Sequence, residues 1–198
     1  MNNSSDNCRG FICRIWRTLK LPPSKTSLGL LIVIVFTATS LFWAGFNYSM
    51  EATNTEEFCL SCHEMENYAF EEYKASNHYT NRSGVRTTCS DCHVPKSWPH
   101  KIARKIKSTK DVWHTMVGTI DTREKYEAMR LKMAESVWAD MEASDSRECR
   151  NCHDYSYMNF EKQGEDAAEV HPEGFDAEVT CIECHKGLAH KLPEGYEE

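Results

Sequence analysis

The sequence predicts a mainly α-helical chain with extensive loops, in which a single N-terminal transmembrane helix precedes a domain of two similar halves. Three observations carry this expectation. Residues Leu28 to Phe46 contain no charged side chain, and about 20 such residues span a hydrocarbon core as a helix. Alternating runs that would build a sheet are too few after that point. Finally, one short motif recurs four times: Cys59-Leu-Ser-Cys62-His63, Cys89-Ser-Asp-Cys92-His93, Cys149-Arg-Asn-Cys152-His153 and Cys181-Ile-Glu-Cys184-His185.

Each element follows in order. Residues 1–27 form a basic tail holding Arg9, Arg14, Arg17, Lys20 and Lys25 against a single Asp6. The positive-inside rule keeps such a tail cytoplasmic, where Cys8 and Cys13 would be reduced thiols. Residues 28–46 are read as a retained signal anchor. The apolar run exceeds the 7–15 residues of a usual signal core, and Trp43-Ala44-Gly45-Phe46-Asn47-Tyr48 stands where a small-x-small cleavage site would lie. Residues 47–198 then form a domain outside the bacterial inner membrane, in the periplasm. Cys59 follows Phe46 by 13 positions, and at roughly 3.3 Å per extended residue the first motif stays near the bilayer surface.

Cys-x-x-Cys-His is the signature of c-type haem attachment, in which two thiols add to the vinyl groups and the imidazole is placed for the iron. Zinc or redox chemistry explains one Cys-x-x-Cys; four copies, each followed at once by His, point to four covalently bound haem c groups. Eight of the ten cysteines are thereby assigned: Cys59, Cys62, Cys89, Cys92, Cys149, Cys152, Cys181 and Cys184. The first cysteines are separated by 30, 60 and 32 positions, the pattern of two pairs joined by a long connector. The domain therefore reads as a multihaem cytochrome c of two dihaem halves, in which porphyrins form most of the core.

The connector is helical in character. Trp98, Ile102 and Ile106 recur every fourth position among His100, Lys101, Arg104, Lys105 and Lys107, as in an amphipathic basic helix. The expectation is a solvated face that balances an acidic domain, with contact to anionic lipid as its rival. Asp121-Thr-Arg-Glu124 resembles a capping box. Beyond it Tyr126, Met129, Met133, Val137 and Met141 march at helical spacing to Ser144, and that methionine stripe is read as packing against porphyrin. The chain carries a formal charge of −7, and with the basic tail set aside the part from Leu28 onward carries −11. This balance argues against nucleic acid and suits solubility or electropositive protein partners.

The motif histidines His93, His153 and His185 supply one axial ligand each. Outside the motifs stand His78, His100, His114, His171 and His190. His78, His171 and His190 lie in the haem-dense segments and are assigned as distal ligands, whereas His100 and His114 lie in the connector and are read as solvent-facing or packing residues. Three distal histidines cannot complete four haems. At the first motif Met65 follows His63 by two positions, so either Met65 or His63 takes that iron, and the other face is left open to a lipid-soluble reductant.

These stretches resemble the NapC/NirT family of membrane-anchored tetrahaem quinol dehydrogenases, which includes NrfH and CymA. The resemblance rests on Thr55-Glu-Glu-Phe-Cys-Leu-Ser-Cys-His-Glu-Met65, His78-Tyr-Thr-Asn-Arg-Ser-Gly-Val-Arg86, Asp91-Cys-His-Val-Pro95, Glu148-Cys-Arg-Asn-Cys-His153 and Cys181-Ile-Glu-Cys-His-Lys-Gly-Leu-Ala-His190. It implies oxidation of menaquinol or ubiquinol and delivery of electrons to periplasmic reductases, with nitrate or nitrite respiration as the setting. It also implies a ligand pairing in which His78 completes the haem of His185, His190 that of His153, and His171 that of His93, while Met65 serves the first. Asp91 matches the family's acidic residue over the open face. Lys96 departs from those members that carry His directly after Val-Pro. Quinol releases two protons as well as two electrons, so a base is needed at its hydroxyl. Asp91 is expected in that role, with Arg86 and Lys96 orienting the head group or keeping Asp91 ionised. Two rivals remain: a membrane-tethered carrier without quinol chemistry, and a dedicated subunit of a nitrite reductase in which a partner residue completes the second haem.

Overall fold

The computed structural model describes Gly10, Phe11 and residues 28–196. The remainder of the basic tail, including Cys8 and Cys13, lies outside the described residues. The chain divides into two compact units, residues 1–51 and 52–198.

In the first unit, helix α1 runs Leu28–Ala52. Its 25 residues, at about 1.5 Å rise each, exceed the roughly 30 Å of a hydrocarbon core. Residues Gly29–Ala52 have a mean hydropathy of 2.0 in their most apolar window, long and apolar enough to cross a membrane. The helix continues six residues beyond the apolar run expected from sequence. Phe42 and Phe46 stack in parallel one turn apart, with Trp43 also against Phe46, and these aromatic side chains suit the interfacial end of a span.

The second unit is helical throughout its regular structure, and no strand occurs among the described residues. Its elements are α2 (Glu56–Cys59), a π-helical turn at Met65–Ala69, α3 (Phe70–Tyr73), α4 (Cys89–His93), α5 (Trp98–Met116), α6 (Arg123–Ala143), α7 (Arg147–Arg150), 3₁₀ turns at Tyr155–Tyr157 and Phe160–Lys162, α8 (Glu165–Asp176) and α9 (Cys181–Cys184). Only α5, α6 and α8 exceed five residues. Among the described residues of this unit, the buried large apolar side chains are Tyr73, Ile120, Tyr126 and Ile182. A chain of this size does not close a protein-only core on so few groups, which fits an interior completed by porphyrins.

Local chemistry explains the long helices. Ser97 stands at the N-cap of α5 with Pro99 inside the first turn, where a missing N–H costs nothing. Thr122 caps α6 by accepting from the Lys125 amide at 3.4 Å, one residue later than the capping box expected at Asp121. Asp121 instead pairs with Lys125 Nζ at 2.7 Å. On α6 the expected stripe of Met129, Met133, Val137 and Met141 is half-buried.

Candidate functional site

The first cysteine of each motif stands in a short helical turn, and the second motif lies wholly within one, Cys89–His93. Cysteines three apart project from one side of a turn, the arrangement that lets two thiols reach one porphyrin edge. Short helices need help at their ends. Thr55 caps α2 by accepting from the Phe58 amide at 3.2 Å. At α4, Asp91 Oδ2 accepts from both the Thr88 amide and the Thr88 hydroxyl, each at 2.8 Å. Glu183 holds the corresponding place in α9, where its Oε1 accepts from the Thr180 amide at 3.1 Å. At α7 the chain enters through Asp145 and Ser146, both in the left-handed region. Fully buried Ser146 uses the resulting position to accept from the Ile182 amide at 3.1 Å, which ties the third motif to the fourth.

The motifs form a series in space. Turn α2 packs on α4, and α4 packs on α7. The Cys59 thiol is hydrogen-bonded with Cys89, which draws Cys59 down to about 7 and pushes Cys89 upward. Cys92 is raised to about 11, first by burial and then by neighbours that include Cys149. Cys149 is raised by burial and by Cys181. Four attachment sites thus adjoin in the order of the chain.

The histidine rings pair beside them. His78 and His153 have centroids 6.2 Å apart, His93 and His190 6.3 Å, and His171 and His185 5.8 Å. An imidazole nitrogen binds a first-row metal at about 2 Å, so two rings on opposite faces of one iron place their centroids roughly 6 Å apart. These pairs differ from the pairing that the resemblance implies, in which His78 went to His185, His190 to His153 and His171 to His93. The reasons are local. His171 rises from α8 beside the fourth motif, with its Nδ1 on Gln163 Oε1 at 2.5 Å and its ring against Phe160 and Phe175. The segment after His190 is fixed elsewhere: the Lys191 amide donates to Glu72 Oε2 at 2.9 Å, and Arg130 donates to the Lys191 carbonyl at 2.7 Å. Arg130 and Glu72 are themselves a nearly buried ion pair.

The electrostatics suit metal binding. His93 is held neutral down to about 4, chiefly by burial and then by His190. Burial likewise lowers His185 and His190, and neutral imidazole is the ligating form. The ring of His190 is largely buried, with its Nδ1 shielded from solvent. A cavity of about 310 Å³ is lined by Cys92, His93, His100, Arg104, Lys107 and Arg147, and another of about 420 Å³ by His190, Glu72 and Arg123 among others. Among the described residues no three His, Cys, Asp or Glu side chains converge as they would on a bare metal ion. The donor set fits haem c.

The first motif is different. The side chain of His63 is 53% exposed, and none of the three imidazole pairs includes it. Met65 opens the π-helical turn, with the Phe70 amide bonded to its carbonyl; such turns are rare and gather at functional sites. Between His63 and Met65, Glu64 is 1% exposed and neither carboxylate oxygen has a hydrogen bond. Its Oε2 lies 3.6 Å from His63 Nδ1. Nothing in the sequence marks Glu64 apart from its place between His63 and Met65, since the burial that distinguishes it arises only on folding.

The expected quinol residues do not share a hydrogen bond or ion pair among the described residues. Asp91 serves the α4 cap. Arg86 pairs with Glu56 at 2.6 Å and lies 4.3 Å over the Tyr79 ring. Lys96 is exposed just beyond buried Pro95. His100 and His114 carry local bonds to Ser97 at 2.8 Å and Thr119 at 3.2 Å and are exposed, as a packing or surface role requires.

A helical unit with four haem attachment turns in series, preceded by a helix apolar enough to be a membrane anchor, defines a tetrahaem c-type cytochrome of electron transport. Residues 21–195 match the NapC/NirT cytochrome c family, N-terminal region, and the chain belongs to that family. It is similar to a denitrification system component, NirT, of Stutzerimonas stutzeri, 52% identical over 180 residues that cover 91% of this chain and 90% of the relative. The cytochrome c-type protein NapC of Escherichia coli K12 is 49% identical over 191 residues, 96% and 95% of the two chains. A putative tetraheme cytochrome c of Allochromatium vinosum is 52% identical over 172 residues, 86% and 90% of the two chains. No solved structure matches the chain at a significant level.

Proposed function

We propose that this protein is a quinol dehydrogenase of the bacterial inner membrane, which oxidises menaquinol or ubiquinol and passes electrons through four haems to periplasmic reductases. The observation that carries the reading is the asymmetry of the ligand set. His78 with His153, His93 with His190 and His171 with His185 would seal three haems, each with two imidazoles, whereas at the first motif Met65 would hold the iron and leave its other face open. When bound, the haems supply one-electron acceptors, which take no protons.

The protons therefore fall to the chain. Both Thr88 bonds end on Asp91 Oδ2, which leaves Oδ1 to accept a proton from a quinol hydroxyl. Thr88 fixes the carboxylate in one rotamer, so that oxygen is presented without a search. Arg86, steadied by Glu56 and Tyr79, and exposed Lys96 would meet the polar head group from either side of the motif. The relative named as a denitrification system component supports a nitrogen-oxide reductase as downstream partner. With the His93 and His190 rings 6.3 Å apart, the two would complete the second haem without a ligand from a partner subunit, which supports an exchangeable partner over a dedicated nitrite reductase complex.

One observation favours the rival reading of a tethered carrier without quinol chemistry: Asp91 already has structural work at the α4 cap. Glu183 has the same work at α9 and no quinol role, so it is the matched control. Asp91→Asn and Glu183→Gln each keep an oxygen for the threonine amide. In detergent, with all four haems confirmed by pyridine haemochrome, Asp91→Asn should lose reduction by a menaquinol analogue by about 100-fold or more, while Glu183→Gln reduces at the wild-type rate. Equal rates in both variants would leave the carrier reading standing.

A further inference from the structure

The junction between α6 and α7 is made in three residues, and two of them hold a conformation that L side chains rarely adopt. Asp145 and Ser146 stand in succession at φ of 51° and 47°, a region that glycine enters freely and other residues do not. Strain of this kind persists where the surroundings fix it, and it gathers at positions with a function. Glycine would serve the turn here but not its contacts. The Asp145 carboxylate and carbonyl accept from Arg150 at 2.7 and 2.9 Å, which folds the last residue of α7 back on its entrance. The Ser146 hydroxyl accepts from the Ile182 amide at 3.1 Å, inside the fourth motif.

That last bond is spent away from home. Ser146 is the N-cap of α7, where a hydroxyl ordinarily accepts from an amide of its own helix, yet it makes no such bond. Its oxygen instead satisfies the second amide of α9, on a residue 36 positions further along the chain. The third motif's turn thus forgoes a side-chain cap, and the fourth motif's turn receives it. Packing runs the same way, since α9 rests on α6, the helix that ends at this junction. The first cysteines of the two motifs are neighbours as well, with burial and then Cys181 raising the Cys149 thiol. Ser146 is fully buried in the chain alone, so porphyrins filling the interior add cover to the tie and remove none.

We propose that Ser146 is a positioning residue for electron transfer, which holds the third and fourth haem attachment turns in one fixed register through the Ile182 amide. Its effect falls on the step between these two haems and does not depend on quinol chemistry. The test uses the full-length tetrahaem protein in detergent, with haem content and low-spin ligation measured for every variant. Ser146→Gly and Ser146→Ala both remove the hydroxyl, one with and one without added backbone freedom. Asp145→Gly eases the neighbouring backbone and keeps the hydroxyl. Hydrogen exchange at the Ile182 amide should quicken about 10-fold in both Ser146 variants and keep its wild-type rate in Asp145→Gly. Circular dichroism across the Soret band reads the mutual orientation of neighbouring haems, and its interhaem couplet should weaken in the Ser146 variants alone. Electron redistribution after flash reduction should slow several-fold in the same two variants, with four haems and their ligation retained. A wild-type couplet and redistribution rate in Ser146→Gly, an equal change in Asp145→Gly, or loss of a low-spin centre in the Ser146 variants would each overturn the proposal.

Discussion

Single side chains here do more than attach cofactors. Arg130 binds Glu72, Glu127 and the Lys191 carbonyl, and this cluster sets the segment that presents His190 to His93. Burial pushes Glu72 up, yet the hydrogen bond and charge of Arg130, with the Lys191 amide, bring it below the ordinary carboxylate value. A carboxyl depressed in the folded state stabilises the fold above its unfolded value and loses that contribution as pH falls. The contact is therefore expected to weaken below about pH 4.5. An acid titration followed by the low-spin visible bands should show the second haem altering in that range, and Glu72→Gln should flatten that dependence. Arg130→Met leaves a buried carboxylate unpaired and is expected to cost about 3 kcal/mol or more, read from the denaturant midpoint. At the fourth motif, Gln163 holds the His171 Nδ1 proton, which makes the opposite nitrogen a stronger donor. Gln163→Leu should raise the potential of that haem in a redox titration, leaving the other centres in place.

At the scale of elements, what the sequence made legible depended on length. Helices α5 and α6 were readable because several turns of periodicity accumulate, and α6 was misplaced at its start by one residue only. The motif turns α2, α4, α7 and α9 are too short for any period; α2, α4 and α9 rest on capping bonds of Thr55, Asp91 and Glu183, and Ser146 at the start of α7 instead bonds across to Ile182, contacts that appear only in three dimensions. Helix α5 shows the sharper limit. Periodicity says which residues share a face but not which of them turn outward: Arg104 and Lys107 line the cavity at the second motif while Lys110 is exposed. Capping strength is testable on an exposed helix. Thr122→Ala removes the acceptor for the Lys125 amide and should lower stability by about 1 kcal/mol, seen in thermal melts without loss of haem.

For the whole molecule, the haem c cofactor is legible in the sequence, whereas the pairing of histidines depends on the fold. Each Cys-x-x-Cys-His announces its own haem because all its parts are adjacent in sequence. Distal ligands come from residues that only folding brings near: the sequence offers His78, His171 and His190 as candidates, and their nearest motif rings in the structure, those of His153, His185 and His93, differ from the pairing that the resemblance implies. The expected quinol cluster of Arg86, Asp91 and Lys96 shows the same gap, since Arg86 and Asp91 hold separate partners and Lys96 is exposed. The central claim is that three sealed haems serve one open haem. The most direct measurement is low-temperature electron paramagnetic resonance with near-infrared magnetic circular dichroism on the full-length oxidised protein. Three bis-imidazole low-spin centres and one centre of another kind, either methionine-ligated or high-spin, are expected. Four bis-imidazole centres would contradict the account.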